Sequence, residues 1–87
     1  MSTDELLDFP CIISVKAMGK CDVGLEAVVL EIISRHVERI EEDAVKTTPS
    51  RNGNYLSVSV SIQAHSRQQM DALYQDLVDC EQVIMAL

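Results

Sequence analysis

The ten residues YLSVSVSIQA, Tyr55 to Ala64, constrain this chain more than any other stretch. Leu56, Val58, Val60, Ile62 and Ala64 alternate without a break with Tyr55, Ser57, Ser59, Ser61 and Gln63. Successive side chains of a strand point to opposite faces, so period two sends one set to a core and the other to water or a polar partner. One wet face implies an antiparallel sheet, because parallel sheets are covered on both sides and read as continuous apolar runs. Asn52-Gly53 precedes the run, and both residues tolerate positive φ, as a hairpin loop requires. The sequence therefore predicts a hairpin that joins this strand to a short one at 44–48, stopped by Pro49.

The same reasoning extends along the chain. Phe9-Pro10 favours extended backbone, and Cys11 to Met18 reads as a strand with Cys11, Ile13, Val15 and Ala17 inward. Ser14 and Lys16 share its other face with Ile12 and Met18, and Gly19 ends it. Asp22 is expected to cap a long helix, whose stripe of Leu25, Val28, Val29, Ile32 and His36 is widened by Ile33, Val37 and Ile40. Ser66 and Gln69 fit a capping box, and Met70, Leu73, Tyr74, Leu77 and Val78 line one face of the helix it opens. Residues 83–87, VIMAL, read as a last strand. The order strand, helix, strand, strand, helix, strand predicts an α+β ferredoxin-like βαββαβ sandwich: a four-stranded antiparallel sheet, strands one and three central, with both helices on one face. Residues 1–87 are read as a single domain, with 1–9 a loosely ordered segment.

Charge and composition narrow the function. With 14 acidic against 7 basic residues the formal charge is −7, which argues against nucleic acid or an anionic membrane as partner. The start MSTDELLDF lacks the features of a secretory signal, and no apolar run approaches a bilayer span, so a cytoplasmic location is expected. The three cysteines, Cys11, Cys21 and Cys80, contain no CxxC pair, so neither disulfides nor zinc are expected.

The fold hosts many functions, and absences discriminate among them. RNA-recognition modules stack bases on aromatic side chains, whereas the outward positions here are serines, Lys16 and one Tyr. A soft-metal carrier needs two thiols after the first strand, where Cys21 stands alone. A phosphate-cradling loop would want an arginine where GKCDVG supplies Lys20. His36 completes the helix stripe and His65 ends a strand, so neither pairs with a nucleophile; His36 reads as a hydrogen-bonded boundary residue. No catalytic residue, metal site or cofactor is expected.

Several short runs carry a family resemblance: FP at Phe9-Pro10, VKAMG at 15–19, RH at Arg35-His36, GNYLSVSVSI at 53–62, LY at Leu73-Tyr74 with Leu77, and the final VIMAL. Over essentially its whole length the chain resembles the YbeD-like family of small bacterial proteins. The resemblance implies a ferredoxin-like fold similar to the ACT regulatory domains of amino-acid metabolism, and an association with lipoate metabolism inferred from gene neighbourhood. ACT-like domains commonly bind small effectors near the first strand-to-helix turn, which here implies Gly19, Lys20 and Asp22. Gly19 would permit close approach, Lys20 would pair an effector carboxylate, and the helix amides beyond Asp22 would favour an anion.

The leading expectation is a non-enzymatic regulatory or adaptor protein that meets a protein partner through Asn54, Tyr55, Ser57, Ser59 and Ser61. The alternative is an ACT-like sensor of an amino acid or organic acid. A weak homodimer through the apolar edge at 83–87, strengthening with salt, is expected as well.

Overall fold

A computed structural model describes residues 9–21 and 24–87. Four strands, β1 (Cys11–Lys20), β2 (Val45–Pro49), β3 (Tyr55–Ala64) and β4 (Met85–Ala86), form one sheet in the order β2-β3-β1-β4, and every pairing is antiparallel. Two helices, α1 (Leu25–Ser34) and α2 (Arg67–Val78), cover one face. This is the ferredoxin-like architecture the sequence predicts, with its two longest strands central.

The core lies between helices and sheet. Val15 and Ala17 of β1 and Val58, Val60, Ile62 and Ala64 of β3 meet Leu25, Val29, Ile32 and Ile33 of α1 and Met70, Leu73 and Leu77 of α2. These are the inward positions of the alternation and the stripes of the two helices, with Val28 and Tyr74 partly buried beside them; Val78, expected on the stripe of α2, is instead 63% exposed. Phe9 and Cys11 pack against this cluster at one end, and Cys80 packs partly buried against it as well. Phe9 thus belongs to the packed structure, while the rest of the segment read as loosely ordered lies outside the described residues.

The first helix departs from expectation at both ends. Its N-cap is Gly24 at φ 96°, a left-handed conformation suited to glycine, with no side-chain cap. The expected cap, Asp22, lies outside the described residues. The helix stops at Ser34 instead of reaching Ile40. Ser34 turns its hydroxyl back onto the Glu31 carbonyl at 2.7 Å, and the amides of Arg35 and His36 bond the Ile32 and Ile33 carbonyls three residues back, tightening the last turn. Val37 and Ile40 extend the apolar pattern past the helix because they pack on the core from an irregular connection. A single 3-10 turn, Glu42–Ala44, leads into β2.

The His36 ring Nε2 lies 2.6 Å from Asp76 Oδ2 of α2, the boundary role expected of it. The Ser66 hydroxyl accepts from the Gln69 amide at 3.1 Å, as a capping box requires. Gln69 Oε1 reaches back to the amide of His65, one residue before the cap, and its Nε2 donates to the His36 carbonyl. The last strand is shorter than the predicted 83–87. Val83 is buried against the core, and the ladder to β1 is carried by Met85–Ala86, by reciprocal bonds between Leu87 and Lys16, and by the Ile84 amide on the Met18 carbonyl.

Candidate functional site: the open face of the sheet

The face of the sheet away from the helices has no element over it among the described residues. Cross-strand partners share a face, so the register writes it out row by row. Gln63 lies beside Ile12, and Ser61 beside Ser14. Lys46 and Lys16 flank Ser59 from β2 and β1, with Leu87 beyond Lys16. Thr48, Ser57, Met18 and Met85 make the next row, and Tyr55 pairs with Lys20.

Three properties follow. The centre is floored by the small serines of β3, with longer side chains on either side. Ser57 stands on this face, as the alternation predicts, between Thr48 and Met18 of the flanking strands, yet it is only 9% exposed. Ser59 is half-buried and Ser61 exposed. Apolar groups ring the serines, with Ile12 71% exposed, and Tyr55, Met85 and Leu87 exposed as well. Finally, Lys16, Lys20 and Lys46, every lysine in the chain, stand on this face. The sequence reading misses that gathering. Lys16 and Lys20 sit at even positions of β1, but Lys46 joins them only through the β2–β3 register.

The hairpin loop holds one end of the face in place. Gly53 sits at φ 76° and donates its amide to the Ser50 carbonyl, and the Tyr55 amide bonds the Ser50 hydroxyl. The Cys21 amide donates to the Asn54 carbonyl at 2.8 Å, tying the loop to the end of β1. Asn54 itself is exposed beside Tyr55.

The corner where β1 turns toward α1 holds the residues implied by the ACT-like resemblance. A cleft of about 290 Å³ is lined by Lys20, Leu25, Glu81, Gln82 and Ile84. Gly19 is buried, and its close approach is internal: a Cβ there would fall 2.2 Å from the Gln82 carbonyl oxygen and 3.0 Å from Leu25 Cδ1. Asp22, the third residue of that set, lies outside the described residues. No cluster of three potential metal ligands occurs among the described residues, and none of their helices is long and apolar enough to cross a membrane.

Residues 4–87 match the family model described as "Protein of unknown function (DUF493)". This chain belongs to that family. Among DUF493 relatives, a UPF0250 protein of Nitrosomonas europaea is 39% identical over 87 residues, 100% of both chains. One from Vibrio vulnificus is 43% identical over 83 residues, covering 95% of this chain and 88% of its own. The YbeD-like reading of the sequence stands on these matches. The solution structure of protein HP0495 from H. pylori superposes with a TM-score of 0.71 at 15% identity, covering 100% of this chain and 94% of the other. That likeness establishes the shared fold.

Proposed function

We propose that this DUF493 protein is a small non-enzymatic regulatory or adaptor protein, acting by protein–protein contact through the open face of its sheet. The observation that supports this reading is the face itself, over which no element lies among the described residues and which combines a serine floor with the exposed apolar groups Ile12, Tyr55, Met85 and Leu87. Exposed apolar groups gathered on one face of a small protein mark an interaction surface. Asn54, Tyr55, Ser57, Ser59 and Ser61 are its β3 residues, with Ser57 contributing mainly shape because it is buried. The setting in lipoate metabolism rests on the family resemblance alone.

A photo-crosslinking amino acid placed at Ser61, with a control at Asp79 on the helical side, tests the face in living cells. Discrete protein adducts from Ser61 and none from Asp79 are expected. The second reading, an ACT-like sensor, draws on the cleft beside Lys20. A thermal-shift screen of amino acids and lipoate-related acids addresses it, and a specific ligand shift without any protein adduct reverses the order of the two.

A further inference from the structure

The four strands contain no aspartate or glutamate. Of the ten acidic side chains among the described residues, four stand on α1 and α2 and six on the segments joining the elements, where Glu38, Glu41 and Asp43 line a cavity of about 460 Å³ with Ile12, Ser61 and Gln63 at one end of the open face. The arginines of the helical side are engaged locally: Arg35 with Glu31, Arg39 with Glu41, and Arg67 with Asp71. The three lysines of the open face make no ion pair with a described residue. Among the described residues, the three lysines of a chain of charge −7 thus stand without an ion pair on the open face, while Arg51, likewise without one, is exposed in the loop between β2 and β3.

Resting on the adaptor reading, we infer that the partner of this face is an acidic amphipathic helix of another protein, lying along the serine row of β3. The backbone groups of β1 and β3 are spent in the sheet, so a partner here docks on side chains and adds no strand. Neighbouring strands lie about 4.8 Å apart, which sets Lys16 and Lys46 about 10 Å from each other across Ser59, close to the diameter of an α-helix. The serines let a helix approach closely, Met18 and Met85 adapt to its apolar stripe, and the two lysines reach carboxylates on its opposite flanks. Lys20 meets a third at the Tyr55 end. A second copy docked face to face about a two-fold axis would set six lysines together, three from each copy, which like-charge repulsion opposes. A nucleic acid would gain three phosphate contacts against the repulsion of the whole protein.

The test is an amide-resonance titration of the intact chain with three probes. These are a helical peptide of about sixteen residues whose leucine stripe is flanked by glutamates, the same peptide with lysines for glutamates, and a single-stranded DNA oligomer. The glutamate peptide is expected to move the resonances of Lys16, Lys46 and 57–61, and the lysine peptide to bind about tenfold more weakly. Lys16→Glu with Lys46→Glu should invert that order, and Lys16→Gln with Lys46→Gln, which keeps side-chain length without charge, should abolish the preference. No shift with the glutamate peptide at millimolar concentration, equal binding of the two peptides, or tighter binding of the oligomer overturns the inference. The Ser61 crosslink separates the two readings. Adducts that persist in the charge-reversed variant leave the adaptor reading standing and remove the acidic helix, whereas absence of adducts in the parent protein removes both.

Discussion

At the scale of single residues, Gly19 carries the most stringent requirement. The Gln82 carbonyl occupies the space a Cβ would need, and a backbone atom yields far less readily than the end of a flexible side chain. Gly19→Ala is expected to cost about 3 kcal/mol, lowering the melting temperature by about 12 °C or more. Thermal unfolding followed by circular dichroism checks this, and an unchanged midpoint would show that the corner relaxes freely. Tyr74 supplies a pH signature. Burial raises its phenol above the usual value of 10.0. Below pH 10 the phenol is protonated in both folded and unfolded chains and its contribution is fully present. As pH climbs through the folded-state value the unfolded chain has already released its proton, so that contribution is lost. Tyr74→Phe should therefore lose less stability than the parent between pH 9 and 11, as paired denaturant titrations would show.

At the scale of elements, local chemistry decides which predictions hold. β3 and α2 were legible because each carries a complete local code, an unbroken alternation in one and a capping serine with a matched stripe in the other. The end of α1 was not legible. Val37 and Ile40 keep helical spacing, although the last turn is already tightened at Ser34 to His36, and the tertiary link from His36 to Asp76 holds the chain beyond it. Removing that link by His36→Ala should cost about 1 kcal/mol, since Asp76 is partly exposed and loses little when it returns to water. Ser66→Ala removes a cap and should cost about as much. His36→Ala leaves in place the backbone carbonyl that Gln69 holds, so the two changes share no side-chain partner and the double variant is expected to be additive to within about 0.5 kcal/mol, which a double-mutant cycle in urea would check.

At the scale of the whole molecule, the candidate site was half legible. The serine row follows from the alternation of β3 alone. The burial of Ser57 and the presence of Lys46 depend on which strands flank β3 and in what register, and no single segment encodes that. The free edge of β4 bears on association. Ile84 is 58% exposed, and the edge carries neither proline nor lysine to blunt it. We propose that two copies pair weakly along it. Repulsion between two chains of charge −7 opposes this pairing and fades as salt shortens the Debye length to about 8 Å at physiological strength. Sedimentation should show the dimer strengthening with salt and Ile84→Lys abolishing it, and a strict monomer in every buffer would remove the idea. Binding of an acidic helix to the lysines should weaken over the same salt series, so the two associations respond with opposite signs.

Among the described residues, the lysines of the strands and the carboxylates of α1 and α2 also set up an electric axis across the sheet, from the lysine side toward the helices. Such a body rotates in the field of an approaching partner before it touches it, so encounters with a negative surface begin lysine-side first and productive collisions become more frequent. On a positively charged support the same axis would lay the molecules down helices first. An immobilised film made in this way would present the serine row outward in every copy without any tag or chemical coupling.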